Sequence, residues 1–398
     1  MKKTLFFLAL MCSALMLISC EQASRGGGGG GSESPGGGGG GGGTTAGTTP
    51  QEDKTKLWPA QEDNGSLWGY INEKGEMAIP ANFQAAAQFS CGYARVSDQN
   101  GEPAFINKSG EIVSQNAPSE DMATYFYYDV CAFRQENLIA FMDKNFKALF
   151  TPKFEQLNAM TAAGLARCRE QNVEYYGYCD KNGNMVIPAA FQYCEDFLDG
   201  MAVVAEYRDG EEQYALINTK GDFLLEYASK PLMNLGEGRI AFLASNNKIG
   251  IMDKNGNEIV SGTFDDLYMY SDGLCLVKRN DKWGFIDKNG NYAIDLIYEY
   301  ASIFQDNVAW VNSDGDRWKV IDKSGNTVLT LADRQYPNSL FHNGLAQIYD
   351  SDENEYAYID KKQNIIYSWT PSSGSKAPSA LPEKAPKMKW LSKEKSLD

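Results

Sequence analysis

Histidine is almost absent from this sequence, which has one, His342, among 398 residues. Zinc sites commonly draw on several imidazoles, and a Ser-His-Asp triad needs a histidine beside its serine. A single histidine therefore excludes a His-rich metal site and leaves little basis for a triad. His342 occupies a turn position that holds Ser90 elsewhere in the chain, so we expect an exposed turn residue. We predict no catalytic residue, no cofactor and no metal ligand.

Positive charge and long apolar runs are also scarce. The 37 basic residues are outnumbered by 52 acidic ones, which gives a net charge of −15 at pH 7. An acidic surface repels phosphate backbones, so we predict no nucleic-acid partner. No apolar run reaches the roughly 20 residues that a membrane-spanning helix needs. The longest run, Leu5 to Ile18, is close to the size of a secretory h-region.

The start of the chain has the pattern of an export signal. Lys2 and Lys3 precede the apolar run, which ends in Leu17-Ile18-Ser19-Cys20. These four residues resemble the lipobox of bacterial lipoproteins. The resemblance implies that signal peptidase II cuts between Ser19 and Cys20 and that Cys20 is lipidated, with residues 1–19 as the signal peptide. The alternative is an ordinary cleaved signal with an incidental cysteine.

The lipoprotein resemblance implies a membrane anchor in the cell envelope. A triacylated Cys20 would hold firmly, since two or more acyl chains bind durably. Glu21 is not the aspartate that commonly signals inner-membrane retention, so the outer membrane is favoured and the leaflet stays open. Residues 20–53 include the glycine blocks Gly26–Gly31 and Gly36–Gly43, and this composition predicts a flexible tether.

Paired cysteine motifs are missing as well. The chain has eight cysteines and no Cys-x-x-Cys spacing. Four of them fall at apolar positions of the repeat described below and are predicted to be small buried hydrophobic residues: Cys131, Cys168, Cys179 and Cys275. An exported compartment permits disulfides, but the sequence does not assign any pairing among these four, Cys91 and Cys194.

A short motif recurs along most of the chain. Clear copies are Leu67-Trp-Gly-Tyr-Ile-Asn-Glu-Lys-Gly75 and Lys282-Trp-Gly-Phe-Ile-Asp-Lys-Asn-Gly290, and weaker copies include one at Pro103. The first motif position falls at residues 68, 103, 139, 176, 214, 249, 283, 318 and 356, an average spacing of 36 residues. A fixed period of this length predicts a solenoid, a propeller or another repeat array.

Each copy is expected to form strands joined by tight turns. Alternation along the motif places Trp283 and Phe285 on one face and Ile286 on the other. The second position is Gly or Ala in every copy but one, which would let neighbouring groups approach closely. Asp/Asn-Lys-x-Gly follows as a hairpin turn. Phe146 and Gln363 replace its glycine in two copies, so those two turns should differ.

The motif resembles that of the WG-repeat family of bacterial β-repeat proteins. The resemblance covers about residues 56–369 and implies an all-β fold of antiparallel β-meanders, without common catalytic residues. We predict that residues 54–369 form nine units in a β-propeller-like ring. Because nine exceeds the usual four to eight blades, an open curved β-array is the alternative. Residues 370–398, rich in Pro, Ser and Lys, are predicted to be disordered.

Function is open at this level. A tethered array without a catalytic set favours a binding or scaffold module for a protein or glycan partner. The alternatives are a polysaccharide-active enzyme with carboxylates at one end of a ring, and a passive envelope spacer. Aromatic residues recur at the first motif position and could be binding platforms, but core packing is the preferred interpretation: Trp68, Tyr176, Tyr214, Trp283, Trp318 and Tyr356.

Overall fold

The computed structural model describes residues 55–115, 125–208, 210–313 and 317–372, which form 33 β-strands and no helix. The strands make eight antiparallel sheets, numbered here in chain order. No helix in the described part of the chain is long and apolar enough to cross a membrane. The predicted signal peptide, the tether and most of the predicted tail lie outside the described residues.

The first four sheets contain the following strands. Sheet 1 has β1 (Trp58–Gln61), β2 (Trp68–Ile71) and β3 (Met77–Phe83). Sheet 2 has β4 (Ala85–Ala86), β5 (Tyr93–Ser97), β6 (Pro103–Asn107) and β7 (Ile112–Ser114). Sheet 3 has β8 (Cys131–Gln135), β9 (Leu138–Met142), β10 (Phe154–Leu157), β11 (Ala166–Glu170), β12 (Tyr176–Cys179) and β13 (Met185–Phe191). Sheet 4 has β14 (Tyr193–Cys194), β15 (Met201–Arg208), β16 (Glu211–Asn218) and β17 (Phe223–Ala228).

The remaining four sheets have four strands each. Sheet 5 has β18 (Leu232–Gly236), β19 (Arg239–Leu243), β20 (Ile249–Asp253) and β21 (Glu258–Phe264). Sheet 6 has β22 (Asp266–Ser271), β23 (Leu274–Arg279), β24 (Lys282–Ile286) and β25 (Tyr292–Tyr298). Sheet 7 has β26 (Tyr300–Ala301), β27 (Val308–Asn312), β28 (Lys319–Asp322) and β29 (Thr327–Thr330). Sheet 8 has β30 (Gln335–Pro337), β31 (Leu345–Asp350), β32 (Glu355–Asp360) and β33 (Ile365–Trp369).

The sheets are arranged in a closed ring, as in a β-propeller. Sheet 1 packs directly on sheet 8 through a buried cluster that includes Trp58 and Tyr358. The Trp58 indole Nε1 also donates a hydrogen bond to the backbone oxygen of His342, 3.1 Å away. These contacts join residues at opposite ends of the repeat region. The predicted ring is therefore confirmed, and the open curved array is not what the chain forms.

All nine copies of the motif contribute strands to the ring, and the sheets number eight. Units 3 and 4 share the six-stranded sheet 3, in which β9 and β10 are joined by one residue pair, Ile139 with Phe154. Hydrophobic packing still separates the two units, because a cluster with Phe141 and Cys168 lies between them. Nine such clusters follow one another around the ring, one between each pair of neighbouring units.

Glycine at the second motif position lets the following strand bulge over it. The four units with this glycine are those with Gly69, Gly177, Gly250 and Gly284. In each of them the last strand carries two extra residues opposite the glycine; Trp68 pairs with Phe83, for example, while Tyr70 pairs with Ile79. A Cβ on Gly284 would lie 2.6 Å from the Asp295 backbone oxygen. In unit 9, where Ala357 replaces the glycine, the strands pair there without extra residues.

The Asp/Asn-Lys-x-Gly turns form as predicted. In the turn at Asp253, the side-chain Oδ1 accepts hydrogen bonds from the backbone N–H groups of Asn255 and Asn257 at 2.8 and 2.9 Å. Gly256 takes a φ of 84°, in the left-handed region that glycine adopts without penalty.

The expectation that the turns at Phe146 and Gln363 differ is wrong. Both residues take the same left-handed conformation, with φ of 59° and 65°. Their neighbours offset the strain of about 1–2 kcal/mol that such a φ imposes on a non-glycine residue. The Phe146 ring packs 5.6 Å from the Phe105 ring, and Gln363 Nε2 donates a hydrogen bond to the Thr330 backbone oxygen at 3.0 Å.

The first strand of a sheet lies on the inner side of the ring, because sheets that radiate from an axis approach each other most closely at their inner edges. Accordingly, β18 contacts β22 of the next sheet. Among the described residues sheet 1 has no such strand, and β1 is its innermost strand. Tyrosine hydroxyls of sheet 8 take its place: Tyr358 donates to the Pro59 oxygen at 3.0 Å and Tyr367 to the Gln61 oxygen at 2.9 Å. Pro59 itself has no N–H to leave unpaired at this edge.

Candidate functional site

The structure separates the residues that the sequence singled out. Ser19 and Cys20, the predicted cleavage and lipidation positions, lie outside the described residues. His342 lies in its predicted turn, but it is half-buried rather than exposed. Its backbone oxygen receives the Trp58 indole, so the residue belongs to the contact between the last and first sheets. Among described residues, no three His, Cys, Asp or Glu side chains gather to hold a metal ion.

Cysteines and first-position aromatic residues fill the core, as predicted. The four cysteines assigned to apolar repeat positions are buried free thiols, and Cys194 is as well. Tyr214, Trp283 and Tyr356 are buried. Trp68, Tyr176 and Trp318 are half-buried and pack against hydrophobic clusters. None of these six rings forms an exposed binding platform.

Acidic side chains at one end of the ring join neighbouring units. Turns that precede the second strand of a unit carry Asp199, Glu237, Asp272 and Asp306. Each carboxylate accepts a hydrogen bond from a backbone N–H of the equivalent turn in the next unit; Asp306 Oδ2, for example, accepts from Gly344 at 2.7 Å. These four acids therefore stabilise contacts between neighbouring units.

Two further acids, Glu195 and Asp196, follow inner strand β14. Asp196 faces unit 4, where Asn158 Nδ2 donates to its Oδ2 at 3.0 Å and Arg167 Nε lies 3.7 Å from its Oδ1. Glu195 faces unit 6 and accepts a hydrogen bond from the backbone N–H of Asn234 at 3.2 Å. Burial raises the pKa of Glu195 to about 8, with a smaller contribution from Asp196. Burial also raises the pKa of Asp196 and outweighs the opposing effect of Arg167.

The raised pKa of Glu195 predicts a specific pH dependence. Below an unfolded pKa near 4.5 both states hold the proton, whereas between pH 4.5 and 8 only the folded state does. Stability should therefore fall as pH rises through this window, by a few kcal/mol at roughly 1.4 kcal/mol per unit of pKa shift. Glu195→Gln, which mimics the protonated form, should flatten the decline and be more stable than wild type at pH 8.5.

Urea unfolding of both proteins at pH 5 and pH 8.5 checks this expectation. Glu258→Gln, at an exposed position in β21, is the matched control and should follow wild type. A Glu195→Gln protein that lost stability between pH 5 and pH 8.5 as wild type does would refute the assignment.

One hairpin extends well beyond the others. Strands β15 and β16 of unit 5 have eight residues each, whereas the equivalent strands of the other units have four to six. They pair in continuous register from Met201–Asn218 to Arg208–Glu211. From equivalent paired ends this hairpin spans 18 residues, against 14 in unit 4 and 15 in unit 6, so at about 3.3 Å per residue its tip projects roughly 5–7 Å farther. Residues 206–208 and 210–213 are called the hairpin tip below.

Side chains brace the hairpin tip and leave one aromatic ring outside. Glu206 accepts hydrogen bonds from the Tyr227 hydroxyl at 2.6 Å and from Arg208 Nε at 2.8 Å. The Arg208 guanidinium lies 3.8 Å from the centre of the Tyr227 ring. Tyr207, on the opposite face, is 61% exposed. Glu211 and Glu212 beside it are also exposed, which gives the tip an acidic character.

Sequence reasoning missed this hairpin, although a signal was present. Thirteen residues separate Gly200 from Tyr214, against ten between Gly92 and Pro103 at the same repeat positions. The extra residues lengthen both strands. An open cleft of about 320 Å³ near Asn82, Asp98 and Ile112 is the other surface feature of note. Its one carboxylate, Asp98, is already used to cap a turn.

Comparisons with known proteins agree with this architecture. The sequence profile described as WG containing repeat matches residues 68–102, 176–206, 249–283 and 283–318. These matches begin at the four units that carry glycine at the second motif position. A search of curated proteins finds no match.

Solved structures resemble the chain at low sequence identity. A eukaryotic initiation factor is 10% identical with a TM-score of 0.56, over 80% of this chain and 96% of that one. AztD from Citrobacter koseri is 11% identical with a TM-score of 0.38, over 80% and 96%. BamB from Moraxella catarrhalis is 11% identical with a TM-score of 0.35, over 69% and 93%. The likeness to the initiation factor supports the propeller fold and says nothing of function.

Proposed function

Because this chain is a WG-repeat protein whose units close into a β-propeller, we propose that it is a binding module for a protein partner, anchored in the cell envelope through Cys20. The observation that carries the proposal is the extended hairpin of unit 5. It presents an exposed tyrosine on a rigid projection, and tyrosine is enriched at protein interfaces and their energetic hot spots.

Rigidity of the hairpin tip favours docking. Its strands are fully paired, and Glu206, Arg208 and Tyr227 hold one another in place. A preorganised surface loses little conformational entropy when it binds, so more of the contact energy contributes to affinity. Glu211 and Glu212 are exposed beside Tyr207, so the partner surface that complements the tip is basic.

The alternatives fit the geometry less well. A polysaccharide-active enzyme with carboxylates at one end of the ring would need acids free to converge on a substrate. The four acids in the turns that precede the second strand of a unit instead accept hydrogen bonds from backbone groups of neighbouring units. A passive spacer would have no use for an exposed aromatic residue on a projecting hairpin, and it would show no change when that residue is replaced.

The binding proposal can be tested by crosslinking in the native host. A photo-reactive phenylalanine at position 207 should crosslink to a discrete partner, and the same group at Tyr292, 41% exposed on an outer strand, should not. With that partner purified, Tyr207→Ala should raise Kd by at least about 30-fold, the effect of a hot spot worth 2 kcal/mol. Tyr292→Ala should leave Kd unchanged, and salt should weaken binding. Equal crosslinking at both positions, or an unchanged Kd for Tyr207→Ala, would contradict the proposal.

Membrane anchoring has its own test. The lipobox-like Leu17-Ile18-Ser19-Cys20 supports lipidation, since no other apolar run could hold the mature chain in a bilayer. In cells fed a clickable fatty acid, wild type should incorporate label and sediment with membranes. Cys20→Ser should lose the label and appear in the soluble exported fraction, while Cys12→Ser should behave as wild type. A labelled Cys20→Ser protein would show that another residue carries the lipid.

A further inference from the structure

Three sulfur-containing side chains lie together in the core of unit 4. Cys168 on β11 and Cys179 on β12 are fully buried, and Cys179 is the register partner of Met185 on β13. Sδ of Met185, on β13, lies 3.5 Å from Sγ of Cys168. All three side chains belong to the cluster between units 3 and 4. They are called the sulfur triad below.

Gly177 makes the room in which the triad meets. It pairs directly with Cys168, and a Cβ on it would lie 2.7 Å from the Met185 methyl group. The missing side chain lets Met185 reach across the central strand toward Cys168. The glycine of the repeat motif thus provides space that this unit fills with sulfur.

No other unit has sulfur at all three positions. Strand register assigns the equivalents of Cys168, Cys179 and Met185 in every unit. Most units have aliphatic residues at the first two, such as Val96 with Ile106 or Val277 with Ile286. Elsewhere at most one of the three positions has sulfur, as at Met77, Met142 and Met252. Unit 4 therefore departs from the repeat at three neighbouring positions at once.

We propose that the sulfur triad is a binding site for a soft monovalent metal ion, Cu(I). Thiolate and thioether ligands select Cu(I) over harder cations, which prefer oxygen. Three sulfurs in one plane around a metal at about 2.3 Å lie about 4 Å apart, and 3.5 Å already separates Sγ of Cys168 from Sδ of Met185. Zinc usually takes four ligands, often with histidine, and the chain's one histidine, His342, lies in unit 9. The site departs from the sequence-based expectation of no metal ligand, and methionine is the donor that expectation did not consider.

Binding would exchange protons for metal. One Cu(I) displaces the protons of both thiols, which leave as two hydrogen ions, while the Met185 thioether adds an electron pair without losing a proton. Thiols must lose their protons to bind a metal ion, so affinity should increase with pH. Met185 is half-buried while both thiols are fully buried, so the metal enters past the methionine.

A competition titration tests the site. The full chain, reduced and free of oxygen, is titrated with Cu(I) against bicinchoninate as a coloured competitor. Cys168→Val with Cys179→Ile restores residues that other units have at these positions and so keeps the core filled. This variant should hold one equivalent of Cu(I) less than wild type. The control, Cys131→Ala with Cys275→Ala, removes two other buried thiols and should match wild type.

A second variant distinguishes loss of the metal site from misfolding of the double variant. Met185→Leu is a volume-conserving change at a half-buried position, and it should weaken Cu(I) binding by on the order of tenfold or more, as losses in a ligand shell commonly do. Equal Cu(I) stoichiometry and affinity in wild type, the double variant and Met185→Leu would overturn the proposal. So would a control that loses as much Cu(I) as the double variant.

Discussion

Trp58→Ala should lower the free energy of unfolding by about 3–5 kcal/mol, the usual cost of removing a buried large aromatic side chain. Trp58 is 1% exposed and packs between the first and last sheets. The equivalent position in most units holds a small residue such as Ala94 or Ala309. The large indole is therefore particular to this unit, where it fills the contact between sheets 1 and 8.

Loss of the indole should also loosen the contact between sheets 1 and 8 before the rest unfolds. The Trp58 hydrogen bond to His342 disappears with the side chain. Amide exchange should therefore accelerate first in β1 and β33, and urea unfolding should measure the loss in stability. Trp318→Ala is the control, because this tryptophan is half-buried and packs between units 8 and 9, away from the contact between sheets 1 and 8. A Trp58→Ala protein that is no less stable than Trp318→Ala and shows unchanged amide exchange in β1 would contradict this role of Trp58 in the contact between sheets 1 and 8.

Gly284→Val should destabilise the protein by about 3 kcal/mol or more, at the upper end of the effect of overpacking. A Cβ at this position would lie 2.6 Å from the Asp295 oxygen and 2.7 Å from the Ile294 oxygen. Both are backbone atoms of a strand that is fixed at either side by its pairs with Trp283 and Phe285. The backbone can move away only by giving up the bulge, which would shift the register of β25.

A graded series separates steric clash from strand propensity. Gly284→Ala should cost less than Gly284→Val but still destabilise, although alanine is the better strand residue. In unit 9 the direction should reverse: Ala357→Gly should destabilise, since no bulge lies over Ala357 and the methyl group is buried. Thermal unfolding of the three variants measures this. If Gly284→Ala were as stable as wild type, the bulge would not explain the glycine of the motif.

Much of the fold was predictable because it is local and repeated. Alternation placed Trp283 and Ile286 on opposite faces, and both lie as expected in different clusters. Residue counts predicted nine units, but whether two units share a sheet depends on the single pair of Ile139 with Phe154. Although Ile139 is itself a first motif position, no pattern in the sequence predicts that it pairs with Phe154.

Long-range contacts account for the remaining differences between the sequence-based expectations and the structure. Phe146 and Gln363 adopt the glycine conformation because partners outside the turn stabilise them. The adjacent Glu195 and Asp196 read as ordinary surface acids in sequence, and only the packing of units 4, 5 and 6 gives them partners. Similarly, the sulfur triad could be recognised only after strand register had brought Met185 beside Cys168.

Ring closure can be tested directly by measuring the distance between sheets 1 and 8 in solution. Gly75 lies against the backbone of Ile366, so spin labels on unnatural amino acids at Glu76 and Ile365 should be separated by about one sheet-to-sheet spacing, roughly 10 Å, plus the length of the labels. An open array would place eight such spacings, roughly 80 Å, between them. Pulsed electron–electron double resonance should therefore give one short distance. A broad distribution centred far beyond that distance would contradict the closed ring.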